Sequence, residues 1–300
     1  MVITISAMTP GFAAEVGDVD LARPLQPTAV DAIKQAFWDY AVLIFPGQVL
    51  SEQQHLAFAQ YIGPLETSIF ALNVGEKLRV PPELADVSNL DTQNKIWRET
   101  SRVRMLQLGN RLWHTDSSFK YLPARASLLY ARAIAPIGGH TEFADLRAAY
   151  DALTADKKHL LSGLVAEHAL AYSRARVGFT DFTEAERTNL PPVPQRVVRT
   201  LPENGRKSLY LASHAGRIRG MAEEQGRALL DELITHATQR QFVYTHRWRA
   251  QDLVMWDDRC TMHRGTAFDD LRWVRDMQRA TVSDIANTCE QEEIKSTAAL

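Results

Sequence analysis

Leu112-Trp113-His114-Thr115-Asp116-Ser117-Ser118-Phe119 has the alternation of an extended segment, and a strand's two-residue period places His114 and Asp116 on one face. An imidazole and a carboxylate so placed reach the same ion. A third donor stands far downstream, near the end of Asp252-Leu253-Val254-Met255-Trp256-Asp257-Asp258-Arg259-Cys260-Thr261-Met262-His263-Arg264-Gly265: an apolar strand, a polar turn, then a histidine at the edge of a β-core. Two histidines and one carboxylate leave three coordination positions open, the arrangement by which non-haem Fe(II) takes a co-substrate and O2. A closed structural zinc site would want four donors, usually with thiolates. His140-Thr141-Glu142 repeats the spacing of an imidazole and an acid two residues apart, a weak signal when it stands alone.

Outward from these stretches, residues 126–134, 141–143, 197–200, 208–211, 242–248, 253–256 and 275–282 have strand patterns, and 41–45 is a buried apolar run closed by Pro46-Gly47. Helices are predicted after Pro27-Thr28, from Ser51-Glu52-Gln53 to the stop at Gly63-Pro64, within 147–164 and over 223–237. Residues 66–110 read as a long active-site loop with one short strand at 86–89, and 174–194 as irregular. Many short strands with flanking helices point to a mainly β sandwich or barrel. No repeat or flexible linker divides residues 1–300, so a single domain is expected.

Composition narrows the partners. The 300 residues are 45% hydrophobic and 23% charged with a formal charge of -2, which offers no basic excess for nucleic acid or an anionic membrane. No apolar run is long enough to span a bilayer. The start Met1-Val2-Ile3-Thr4 lacks a signal-peptide pattern, and the two cysteines, Cys260 and Cys289, are widely separated; a cytoplasmic chain with reduced thiols is expected.

An Fe(II) oxygenase of this kind needs an electron source, usually 2-oxoglutarate, whose distal carboxylate suits a guanidinium. Strand parity in 275–281 puts Arg275, Arg279 and Thr281 on one face, with Asp276 and Gln278 opposite. One arginine is then available for the co-substrate and the other for an anionic substrate, unless the strand is a solvated charged one.

Taken in order, Leu43-Ile44-Phe45-Pro46-Gly47-Gln48, Gly63-Pro64-Leu65-Glu66, Ala85-Asp86-Val87-Ser88-Asn89, the 112–119 segment, Gly138-Gly139-His140-Thr141-Glu142-Phe143, His236-Ala237-Thr238-Gln239-Arg240 and Leu253-Val254-Met255-Trp256 resemble the Fe(II)/2-oxoglutarate-dependent taurine dioxygenase superfamily across almost the whole chain. Within it they are most similar to the 2,4-dichlorophenoxyacetate dioxygenases. The resemblance implies a double-stranded β-helix, or cupin-like jelly roll, with His114, Asp116 and His263 as catalytic iron ligands and Thr141 and Arg275 on the 2-oxoglutarate carboxylate. Trp256 is then a wall of the co-substrate pocket or a core aromatic. Arg279 matches the arginine that meets the anionic head of the substrate, and Asn110 another substrate-side position. Ile69, Phe70 and Leu72 form either an apolar lid for an aromatic ring or ordinary loop packing.

The implied reaction consumes O2, yields succinate and CO2, and hydroxylates the methylene of an aryloxyacetate, which collapses to a phenol and glyoxylate. Two departures stand out: Leu201 occupies a position where a histidine is expected near the substrate, and Asp258 replaces an asparagine. Lys95 and His214 are candidates for the missing polar contact. A taurine or alkylsulfonate dioxygenase and a non-catalytic jelly-roll binding protein are the competing readings. The partner is thus a small anionic aromatic molecule, with no nucleic acid or membrane, and the resemblance adds a homo-oligomer.

Overall fold

A computed structural model describes residues 3–69 and 78–291. The strands are β1 (Thr4–Ala7), β2 (Ala13–Gly17), β3 (Val42–Phe45), β4 (Leu84–Asp86), β5 (Ala124–Ala133), β6 (Thr141–Asp145), β7 (Val165–His168), β8 (Val193–Arg196), β9 (Val198–Thr200), β10 (Lys207–Leu209), β11 (Ala215–Ile218), β12 (Val243–His246), β13 (Leu253–Asp257), β14 (Thr261–Gly265) and β15 (Asp276–Ser283). The helices are α1 (Pro27–Tyr40), α2 (Glu52–Gln60), α3 (Arg102–Gln107), α4 (Leu146–Asp151), α5 (Ala155–Leu161), α6 (Leu170–Ala175), α7 (Glu184–Asn189) and α8 (Glu223–Ala237).

A seven-stranded sheet in the order β1-β2-β3-β13-β5-β15-β4 faces a three-stranded sheet, β12-β6-β14. Alternation explains the layering. Val42, Ile44, Leu129, Ala131, Val254, Trp256 and Met277 point inward to meet Phe143 of β6, whereas Leu43, Phe45, Leu128, Tyr130, Leu253, Met255, Ala280 and Val282 point outward beneath Ile33, Phe37 and Phe58 of α1 and α2. Strands covered on both faces are near-continuous apolar runs in sequence. On the far side, Ala144 and Met262 pack with α4 and α8. Two facing sheets with helices outside make the jelly roll.

Local chemistry sets the element ends. Ser51 caps α2 by accepting from Gln54 N–H while the Gln54 side chain accepts from Ser51 N–H. Pro27 begins α1, where a missing N–H costs nothing.

Several expectations are corrected. Residues 112–119 are not a strand: only His114 forms a bridge, and Ser117 turns the chain in the left-handed region at φ 50°. The stretch expected as a long loop carries β4 at Leu84–Asp86, slightly ahead of the expected strand, and α3. The stretch expected as irregular carries the end of α6, all of α7 and the start of β8; Thr183 and Glu186 form a capping box that begins α7. The hairpin β1–β2 and strands β7 and β11 had no clear alternation and went unrecognised. No described helix is long and apolar enough to cross a membrane.

Candidate active site

His263 sits mid-strand in β14, opposite Phe143 of β6. Its backbone pairs reciprocally with His114: His114 N–H donates to His263 O at 3.0 Å and His263 N–H to His114 O at 2.8 Å. The Thr115 hydroxyl lies between Leu211 O and Thr261 O, at 2.8 and 2.9 Å, so Thr115 faces the core while His114 and Asp116 face the other way. Convergence of the donors therefore comes from an anchored turn rather than a strand. His114 Nε2 is 3.8 Å from Asp116 Oδ1, and His263 Nε2 is 3.7 Å from Asp116 Oδ2. One ligand atom from each residue lies within 4.8 Å of the others, and this is the metal-capable group found among the described residues.

The donor chemistry fits a divalent ion. His114 Nδ1–H donates to Leu112 O at 2.7 Å, which leaves the Nε2 lone pair for a metal. Burial lowers the pKa of His114 and takes that of His263 well below its usual value, so both are neutral ligands. Burial pushes Asp116 up, but the Arg279 guanidinium, His263 and His114 outweigh it and hold the carboxyl below the usual carboxylate range. His263 is wedged between Trp256, at a ring distance of 4.6 Å, and Phe143, at 6.1 Å. Glu142 is instead ion-paired with Arg264 at 2.7 Å, away from this cluster.

Two adjoining cavities share Val87, Gln107 and Asn110. One is lined by Arg275, Asn89, Thr266 and Phe268. Arg275 is half-buried, its Nε donating to Gly139 O at 3.3 Å, and desolvation lowers its pKa to about 10, so it remains a cation. Thr141 lies opposite cavity-lining Gly265, and its hydroxyl accepts from Trp248 Nε1 at 2.9 Å. The other cavity opens on His114 and Asp116 and is lined by Arg279, Ile69, Phe119, Leu170, Arg174 and His214. Arg279 donates to Asp116 Oδ1 and, through Nε at 3.2 Å, to Thr281 Oγ1. Gln278 turns away beneath α2 toward His55, and Asp276 pairs with Arg79 and Arg132, as parity requires.

The remaining expected positions divide. His214 is buried edge-on to Phe119 at 4.9 Å, beside the metal-capable cluster. Lys95 is exposed in the turn after Asp91 and lines neither of these two cavities. Leu201 lines neither cavity; it is buried in the core with Trp248 and Trp256, so no polar substrate contact is missing there. Trp256 is fully buried and donates to Asp258 Oδ1 at 3.0 Å, serving as a core aromatic that touches the His263 ring rather than a cavity wall. Phe70 and Leu72 lie outside the described residues.

Three features escaped the sequence reading. Ser127 Oγ is 2.8 Å from Asp116 Oδ2 and 2.7 Å from Asp258 Oδ2. Burial and the neighbouring Asp116 charge push Asp258 well above the carboxylate range, so it carries a proton and offers the donor and acceptor of an amide. Trp248 orients the Thr141 hydroxyl, and Arg174 reaches the substrate-side cavity from a segment expected to be irregular. Strand parity was a usable signal for Ser127; no spacing pattern marked the other two.

Comparison with known proteins agrees with this geometry. The family described as "Taurine catabolism dioxygenase TauD, TfdA family" matches residues 4–281. The chain is 44% identical to the alpha-ketoglutarate-dependent 2,4-dichlorophenoxyacetate dioxygenase of Cupriavidus pinatubonensis, over 95% of this chain and 99% of that one. It is 35% identical to the (S)-phenoxypropionate/alpha-ketoglutarate-dioxygenase of Sphingobium herbicidovorans, over 88% and 90%. Among solved structures it resembles AAD-2 in complex with Mn(II) and N-oxalylglycine, with a TM-score of 0.88, 46% identity and coverage of 96% and 99%.

Proposed function

We propose, from the premise that the chain belongs to the TauD/TfdA family of dioxygenases, that it hydroxylates the methylene of aryloxyacetates such as 2,4-dichlorophenoxyacetate. The chain is a 2-oxoglutarate-dependent dioxygenase. The observation that carries the substrate reading is the cavity on Asp116 and His114, cationic at Arg279 and apolar along Ile69, Phe119 and Leu170.

In this reading His114, Asp116 and His263 hold Fe(II). When bound with 2-oxoglutarate, iron supplies the activation of O2 that oxidatively decarboxylates the co-substrate to succinate and CO2. Arg275, with the Thr141 hydroxyl nearby, takes the distal carboxylate of 2-oxoglutarate in its own cavity. Arg279 takes the carboxylate of the substrate, and the neutral His214 ring, Phe119, Leu170 and Ile69 receive the aromatic ring; Asn110 spans both cavities. That clamp would turn the methylene, not the ring, toward the His114, Asp116 and His263 cluster. The hydroxylated product is a hemiacetal whose C–O bond breaks to release the phenol and leave glyoxylate. The reading extends to a cytoplasmic homo-oligomer of one domain, for which light scattering tests the assembly.

Anaerobic reconstitution with Fe(II) and 2-oxoglutarate, then O2 with phenoxyacetate, 2,4-dichlorophenoxyacetate or taurine, tests the function. Phenol released in step with succinate is the expected result. Sulfite from taurine instead assigns the alkylsulfonate reaction, and succinate uncoupled from every substrate refutes the aryloxyacetate reading.

A further inference from the structure

Arg174 is a buried charge that no carboxylate pairs directly, although Asp116, which lines the same cavity, acts on it from a distance. Only 7% of it is exposed, and it ends among the residues lining the substrate-side cavity. Its Nη1 donates to Ser173 Oγ at 3.0 Å, its Nη2 makes a long contact of 3.4 Å to Asn110 Oδ1, and its Nε has no partner. Among the described residues it makes no ion pair, whereas other buried arginines such as Arg147, Arg199 and Arg259 each hold a carboxylate. Burial lowers its pKa to about 10, which leaves it cationic at neutral pH. An unpaired buried cation is costly, and a site that keeps one is built for an incoming anion.

The chain also makes room for this side chain. A Cβ on Gly109 would lie 2.3 Å from Arg174 Nη1, 2.5 Å from Cζ and 2.6 Å from Nε, so the guanidinium rests on bare backbone. Gly109 does not adopt a left-handed backbone; close approach, not conformational freedom, is what its missing side chain permits. Arg279, across the same cavity, spends its charge on Asp116, a carboxylate that a bound divalent ion would itself neutralise.

We propose that Arg174 is a second anion anchor, and that Arg174 and Arg279 together bind the acidic group of the substrate. This deepens the aryloxyacetate reading and rests on it. A carboxylate has two oxygens able to accept from two guanidinium groups, while a neutral ether or alcohol of the same shape cannot satisfy them. Selection for acids over neutral aryl ethers is therefore shared between two cations on separate segments, α6 and β15.

Anaerobic calorimetry of phenoxyacetate and of neutral 2-phenoxyethanol, binding to the enzyme loaded with Fe(II) and 2-oxoglutarate, tests the assignment. Arg174→Met should weaken phenoxyacetate by about 10- to 100-fold, the range of a charge-assisted hydrogen bond, and leave 2-phenoxyethanol and the KM for 2-oxoglutarate unchanged. Gly109→Ala displaces the guanidinium without removing it and should weaken phenoxyacetate in the same selective way. Added to Arg174→Met it should cost nothing more. Wild-type affinity for phenoxyacetate in either folded variant, or equal weakening of acid and alcohol, overturns the anchor. Absence of phenoxyacetate binding by the wild type overturns the substrate reading itself, a result distinct from binding that ignores Arg174.

Discussion

Replacing Ser127 with alanine isolates one link between the iron-binding carboxylate and the β-core. The hydroxyl has one proton and two close neighbours, Asp116 Oδ2 at 2.8 Å and Asp258 Oδ2 at 2.7 Å. Asp258 Oδ1 is already committed to Asp116 N–H at 3.1 Å and Trp256 Nε1–H at 3.0 Å. With Asp258 protonated, the hydrogen bonds run in one direction: Asp258 donates to Ser127, and Ser127 donates to Asp116. Ser127→Ala removes a hydrogen bond to an ionised group, worth about 1.5–3 kcal/mol, and frees Asp116 to rotate. Metal-orienting partners of this type change affinity by roughly 10- to 100-fold. Anaerobic titration with Fe(II), or with Mn(II) followed by electron paramagnetic resonance, should show weakening in that range. Asp258→Asn should bind metal as the wild type does, because its amide donates to Ser127 and its carbonyl still accepts from Asp116 N–H. Unchanged metal affinity in a correctly folded Ser127→Ala variant would refute the orienting role.

His114→Ala, Asp116→Ala and His263→Ala should each abolish succinate formation by opening the metal site; wild-type rates in all of them would remove the cluster from the chemistry. Arg275→Ala should mainly raise the KM for 2-oxoglutarate and Arg279→Ala that for the aryl acid, and steady-state kinetics with the pattern reversed would exchange their roles. His168 is buried without a hydrogen-bond partner, and burial lowers its pKa to about 3. Below pH 6.5 the unfolded chain takes up a proton that the native state refuses, so stability falls as pH drops from 6.5 toward 3, by about 2 kcal/mol at pH 5. His168→Phe, which keeps a ring against Tyr210, should flatten that part of the urea-stability profile; an unaltered slope would show that His168 titrates freely.

What the sequence disclosed followed from short-range regularity. His114 and Asp116 are two residues apart, and a tether that short brings both side chains to one side whether the backbone is a strand or, as here, an anchored turn. The runs 42–45 and 253–257 announced the central strands because burial on both faces admits only apolar side chains. Arg174 was hidden for the opposite reason: its significance lies in a missing direct ion pair, and a pair that is not made leaves no trace in a local pattern. Leu201 misled because correspondence along a chain does not report which way a side chain faces. Thr141 had its facing from parity, but its hydrogen-bond donor, Trp248, comes from a distant segment.

The strand order has a consequence for how the chain is made. Strand β13 lies between β3 and β5, and β15 lies between β5 and β4, so the middle of the large sheet is filled by the segments synthesised last. Until they emerge, Val42–Phe45 and Ala124–Ala133 have no partner on those edges, and their apolar faces and open backbone are available to any passing strand. His263 also arrives late, so iron cannot meet its full donor set on a nascent chain. Folding must therefore wait for contacts of long sequence separation, the slow and aggregation-exposed regime, and the waiting edges of β3 and β5 are where a half-made chain is most open to mispairing.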